Sequence, residues 1–287
     1  MIKDFFIVTK FVLSFAVSLS ALFAYIMAKG EIGLDMLLAT LAVLLVAMGV
    51  STLNQVQEYK SDAKMDRTKH RPIASGRMSP QTGIIISIVL ILLSFVLIYS
   101  LLGLTGINFF AFAFLWYNLM YTPLKKRSAL AVVPGAVLGV IPPAIGWLVA
   151  GHTLFEIEFI AIAVYYFVWQ VPHFWLLVML FHGDYKDGGY PTAMRLFGEG
   201  TLQRLTFVWL MITIQAGVFM VYTFQVYSYI TVALSIALGI WAFMTSLQLL
   251  RQEFQLKTAR SIFWKINAAF LGIIILLSID EYIKHHI

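Results

Sequence analysis

The chain has 287 residues, 61% hydrophobic and 12% charged, about half the charged share of an ordinary soluble domain. It carries 23 Phe, 13 Tyr and 7 Trp, and its net charge of +6 falls in short clusters between long apolar runs. This excludes a water-soluble domain, a disordered chain and a nucleic-acid-binding module, while the lack of Cys excludes disulfides and thiolate chemistry.

A helix crosses a bilayer with about 20 apolar residues. The apolar runs predict an all-α, polytopic membrane protein, one domain over residues 1–287, with nine transmembrane helices. The spans are expected near 8–28, 34–53, 82–102, 107–121, 130–150, 156–180, 204–224, 229–250 and 262–279. The fourth is short, and Pro172 interrupts the sixth. The first run has no small-residue cleavage site behind it and reads as a retained span. With the N-terminus in the cytoplasm, every Lys and Arg except Lys29 and Lys284 falls on the cytoplasmic side. That asymmetry predicts a cytoplasmic N-terminus and an external C-terminus.

The second span ends in NQVQEYKSDAKMDRTKHRP, where Asn54, Glu58 and Asp62 recur every four residues. On a helix they form one stripe. Such oxygen donors suit Mg²⁺, which is held by a few carboxylates together with substrate phosphates. Lys64, Arg67, Lys69 and Arg71 follow and suit phosphate oxygens. The plain alternative is a solvated loop with local charge pairs, but a polar stripe closing an apolar helix is costly unless it faces a cavity. Next comes YTPLKKRS at 121–128, either a topology signal that attracts anionic lipid or a contact for diphosphate or substrate carboxylates. IPPAIGW at 141–147 places two prolines inside the fifth span, which breaks the helix where protein or a cavity must satisfy the backbone. WQVPHFW at 169–175 puts Gln170 and His173 inside the sixth; His173 either serves a site or bonds a neighbouring helix. After that span, FHGDYKDGGYP sets Asp184 and Asp187 around Tyr185 and Lys186, with a Gly-Gly turn. Two acidic clusters on one face are able to clamp metal ions across one diphosphate.

This order of motifs resembles the UbiA-type intramembrane prenyltransferases. Asn54, Glu58, Asp62, Arg67, Thr68, Arg71 and Pro72 match their first motif, with Glu58 where Asp is usual. YTPLKKRS, IPPAIGW, WQVPHF and DYKDGGYP are most similar to the heme-farnesylating branch, the protoheme IX farnesyltransferases (heme O synthases). The run PTAMRLFGEG departs from that branch's Pro-Met-Leu-Pro. The resemblance implies a bundle around a cavity open to the cytoplasm, in a cell inner (plasma) membrane. It implies Mg²⁺-dependent transfer of farnesyl from farnesyl diphosphate to a vinyl group of heme b. Asn54, Glu58, Asp62, Asp184 and Asp187 are then the metal–diphosphate ligands. Arg67, Arg71 and Lys186 are diphosphate contacts, Tyr121, Lys125 and Lys126 lie near the donor or the heme propionates, and His173 contacts heme. Heme-modifying or oxidase-assembly proteins are implied as downstream partners. Two alternatives stay open: a prenyltransferase of the same superfamily acting on an aromatic acid or quinone precursor, and a membrane transporter.

Overall fold

The computed structural model describes residues 2–251 and 255–287, which are helical with no strand among them. A short helix, Ile2–Val8, precedes the spans. These are α1 (Phe11–Lys29), α2 (Leu34–Asp62), α3 (80–102), α4 (104–124), α5 (Val132–Val149), α6 (Ile157–Leu180), α7 (Glu199–Thr223), α8 (Tyr229–Leu250) and α9 (Leu256–His286).

The limbs α3 and α4 belong to one 45-residue helical stretch, Pro80–Leu124. At Gly103 the backbone leaves the helical region (φ 57°, ψ −138°), a conformation that needs glycine. The chain reverses there. Phe95 and Phe110 place their rings 6.1 Å apart, whereas a straight helix would separate them by about 22 Å. The eight long apolar stretches among the described residues therefore hold nine crossing segments.

The prolines act differently in the two spans that carry them. Pro142 and Pro143 open the regular turns of Ile141–Val149, behind a tighter turn at Val137–Val140. In a first turn the missing N–H costs nothing. Pro172 instead lies inside α6, which continues to Leu180 rather than stopping; membrane helices tolerate this because neighbours re-satisfy the freed carbonyl. The first span starts later than its hydropathy predicts, because the backbone at Lys10 is left-handed (φ 47°, ψ 44°) and separates Ile2–Val8 from α1.

Helices in lipid associate through close packing of small residues. A side chain on Gly146 of α5 would collide with the carbonyl of Ala21 on α1. Gly49 of α2 faces α3, where Ser87 Oγ donates to its carbonyl at 2.8 Å. Buried Ala39, Val43, Ile98, Phe110 and Ile145 fill the space between α2, α3, α4 and α5. On the other side of the bundle, Tyr165, Met220, Phe270 and Ile274 join α6, α7 and α9. Asp280 on α9 accepts from the N–H groups of Tyr227 and Ser228 at 2.7 and 2.9 Å, which pins the α7–α8 turn.

At 29 residues, α2 is about 43 Å long, well beyond a hydrocarbon core of about 30 Å. Its last turns reach one end of the bundle. The start of α1, the ends of α4 and α6, and the segments 63–79 and 181–192 gather there as well.

Candidate active site

Asn54, Glu58 and Asp62 lie on one face of the last turns of α2, only 1%, 3% and 2% exposed. Buried groups of this kind need partners, and each receives a cation from elsewhere. Lys10 Nζ donates to Asn54 Oδ1 at 3.1 Å, Lys125 Nζ to Glu58 Oε2 at 2.7 Å, and Arg71 Nη1 to Asp62 Oδ2 at 2.7 Å. Asn54 Nδ2 also donates to Glu58 Oε2 and to Thr122 Oγ1, at 3.0 and 3.1 Å.

The end of α4 is shaped to deliver its share. Over Leu115–Tyr121 the helix widens, so that Thr122 N–H reaches back five residues to Tyr117, a distortion that recurs at functional sites. Beyond it, Thr122 and Lys125 both face α2. The Lys125 ammonium lies 5.5 Å from the centre of the Tyr121 ring and 6.0 Å from that of Tyr190. A bare Gly135 on α5 makes room for Tyr121. Lys126 is exposed and donates to the Gln57 carbonyl at 3.3 Å.

The second acidic motif folds onto the first. After α6 the chain turns at Phe181 into the short helix His182–Asp187. Asp184 Oδ1 accepts from the Asp66 N–H at 3.1 Å, Gly188 packs against Met65, and Tyr190 OH donates to Glu58 Oε1 at 3.1 Å. Arg67 is exposed, with its guanidinium 4.9 Å from the centre of the Phe181 ring. Lys186 and Asp187 are exposed at the rim, and neither makes a side-chain hydrogen bond among the described residues.

The local field is set by this crowding. Burial, followed by the charges of Arg71 and Lys125, brings the Lys10 ammonium down to about 7. Burial and then the Glu58 charge raise the Tyr190 phenol, which keeps it a donor. Asp66 is held below the ordinary carboxylate range by its hydrogen bond from Lys69.

His173 stands apart from this cluster. Its Nδ1 lies 2.8 Å from Asn267 Oδ1 on α9, and its ring sits between those of Trp169 and Phe263. The Asn267 amide NH₂ is turned to the Phe263 carbonyl, so Oδ1 accepts and Nδ1 carries the proton. Nε2 has no hydrogen-bond partner among the described residues. An apolar cavity of about 900 Å³ between α6, α7, α8 and α9, lined by Tyr165, Gly217, Ser235 and Phe270, contains none of the carboxylate cluster.

Sequence reasoning assigned the stripe, Arg71, Lys125 and Asp184 to this end. It missed four contributors. Lys10 carried only the signal of a boundary charge. Tyr190 sat unassigned within DYKDGGYP, and Thr122 within YTPLKKRS. Asn267 gave no signal at all.

Among the described residues no three His, Asp or Glu side chains converge on one point. The acids alternate with cations instead. A hard cation that arrives with phosphate oxygens fits such a donor set, because it needs only one or two carboxylates from the protein.

Residues 14–271 match the UbiA prenyltransferase family. A protoheme IX farnesyltransferase of Flavobacterium psychrophilum is 30% identical over 293 positions, covering 98% of this chain and 95% of that one. Its namesake in Oleidesulfovibrio alaskensis is 37% identical over 175 residues, covering 61% of this chain and 62% of that protein's length. Among solved structures, one reported for digeranylgeranylglyceryl phosphate synthase superposes with a TM-score of 0.78 at 15% identity, covering 98% of both chains. A UbiA homolog from Archaeoglobus fulgidus bound to GPP and Mg²⁺ gives 0.68 at 14% identity, covering 96% of this chain and 99% of that one. These two share its fold.

Proposed function

Because the chain belongs to the UbiA prenyltransferase family, we propose that it transfers farnesyl from farnesyl diphosphate to a vinyl group of heme b. Water adds in the same reaction, and the products are heme O and diphosphate. The named relatives support the acceptor, one of them along 98% of this chain. The observation that carries the reading is the buried face of Asn54, Glu58 and Asp62, with a cation on each residue and the second acidic loop tied across at Asp66–Asp184.

Asn54, Glu58, Asp62 and Asp184 would hold Mg²⁺ together with diphosphate oxygens, with Asp187 nearby on the rim. When bound, Mg²⁺ neutralises charge that builds on the leaving diphosphate. Arg71 and Lys125 supply fixed positive charge toward the same oxygens, and Arg67 and Lys186 add to it from the rim. The C1–O bond of the donor breaks, and C1 becomes an allylic cation that must be kept from water. Tyr121 and Tyr190 present aromatic faces beside Lys125, and such faces also stabilise carbocations. The terminal vinyl carbon of heme b then attacks C1. The cation left beside the ring takes water, which loses a proton to give the hydroxyethylfarnesyl group.

His173 fits the acceptor side. It lies eleven residues before Asp184, deeper in the bundle than the carboxylates, and Asn267 fixes its tautomer. That leaves the Nε2 lone pair for heme iron. The distribution of Lys and Arg supports a site mouth on the cytoplasmic side with the C-terminus outside, and the resemblance to the family supports a plasma-membrane setting.

The test is mass spectrometry of heme extracted from cells with and without the gene. Hydroxyethylfarnesyl heme should appear only with the gene. Unmodified heme b alone in both samples would overturn the acceptor.

A further inference from the structure

We propose that Lys10, just ahead of the first span, is a diphosphate-binding residue that leaves Asn54 for the donor's phosphate oxygens when substrate arrives. This rests on the prenyl-transfer reading above. Three cations meet the α2 face, and two of them, Lys125 and Arg71, are held by carboxylates at 2.7 Å. Lys10 has only the neutral Oδ1 of Asn54, at 3.1 Å, and makes no salt bridge among the described residues. An ammonium held by one amide oxygen moves to an anion more readily than one held by a carboxylate.

The aim of Lys10 is built into the fold. Its backbone is left-handed although it is not glycine, and such strain persists only where surroundings over-determine it. Those surroundings come from α2. Gln55 Nε2 donates to the carbonyls of Ile7 and Val8, both at 2.9 Å, and Thr52 Oγ1 lies 3.4 Å from the Val8 carbonyl. The residue next to Asn54 thus clamps the kink that carries Lys10. With Lys10 protonated, three cations face the carboxylates of Glu58 and Asp62 and leave one positive charge in excess, and a diphosphate is the anion that would use it. A metal ion taking Asn54 Oδ1 would also deprive Lys10 of its partner at the moment phosphate oxygens become available.

The experiment uses the full chain in nanodiscs. It measures equilibrium binding of farnesyl and geranyl diphosphate with Mg²⁺, and displacement by inorganic diphosphate. Lys10→Met and Lys10→Gln should weaken both prenyl diphosphates and inorganic diphosphate about tenfold, since a hydrogen bond to a charged group is lost. The ratio of farnesyl to geranyl affinity should not change, because the contact is with the head. The ligand-free unfolding temperature should hold or rise, because a cation crowded by Arg71 and Lys125 is removed. Lys10→Arg should recover most of the affinity. Wild-type affinity in Lys10→Met, with binding lost in Asp62→Asn, would overturn the role of Lys10 and leave the parent reading intact. A wild-type protein that binds no prenyl diphosphate would overturn both. Parallel loss of affinity and of folded protein in both Lys10→Met and Lys10→Gln would return Lys10 to a structural role.

Discussion

The two ends of the bundle carry similar residues in different arrangements. At the end opposite the carboxylate cluster, His152 pairs with Glu156, Lys284 with Glu281, and Lys29 with Glu31. Every one of these pairs joins near neighbours in sequence, and most of the groups are well exposed. At the cluster end, Glu58 is reached by Lys125 and by Tyr190, Asn54 by Lys10, and Asp66 by Asp184. These contacts join segments 44 to 132 residues apart. Local pairs of exposed charge contribute little to stability and need no ligand to explain them. Charges drawn from five separate segments into a buried face are costly to assemble, and they mark where binding happens.

The strongest way to break this contrast is Asp62→Asn. The change removes the charge of a proposed metal ligand and leaves Arg71 without its carboxylate. Turnover should fall by about 10²–10³-fold or more, read as farnesyl transfer to heme by chromatography, with the protein still folded. Near-normal turnover across a Mg²⁺ titration would show that the buried face is not the site.

Asp280 sharpens the contrast from the other end, where it is the one long-range carboxylate contact described. Asp280→Ala strands the Tyr227 and Ser228 N–H groups. It should cost about 2–3 kcal/mol of stability, visible as a lower unfolding temperature, while kcat stays at the wild-type value in whatever protein remains folded. A matching loss of kcat would mean that the two ends are coupled.

Tyr190→Phe tests the strap between the acidic motifs. It removes the hydrogen bond to Glu58, so about 1 kcal/mol of transition-state stabilisation should go, roughly a fivefold drop in kcat/KM.

The smallest effect belongs to Glu156→Gln, within about 0.5 kcal/mol in stability and silent in turnover. The Thr153 N–H, and then His152, hold the Glu156 carboxyl below its ordinary range despite some opposing burial. Its small contribution is complete above the unfolded-state value and is lost as pH falls through the lowered one. A chemical-denaturation series in acid should show that loss in the wild type and not in the variant.

Much of this was legible in sequence for a physical reason. Lipid demands long apolar helices, so spans appear as runs, and the four-residue spacing of Asn54, Glu58 and Asp62 declares a shared helical face. Asp184 was found because its motif is compact. What stayed hidden was pairing across distance. Lys10 and Lys125 are both boundary charges in sequence, and only folding shows that one meets an amide and the other a carboxylate. His173 was legible as an intramembrane polar group, but its partner Asn267, 94 residues later, was not. The fourth span was drawn short because hydropathy stops before Thr122, although the helix continues to Leu124.

The widened turn at Leu115–Tyr121 has a consequence for how the site tolerates changes in length. Each residue added to or removed from a helix rotates everything beyond it by about 100°. The wide turn absorbs such a step, so Phe110 keeps its phase against Phe95 while Thr122 and Lys125 take theirs against α2. Deleting one residue there would let the helix close to regular geometry with Lys125 still near Glu58, whereas adding a second extra residue would rotate Lys125 by about 100° away from it. The site would then be dismantled with every one of its side chains still present, which makes this turn the register mark of the molecule.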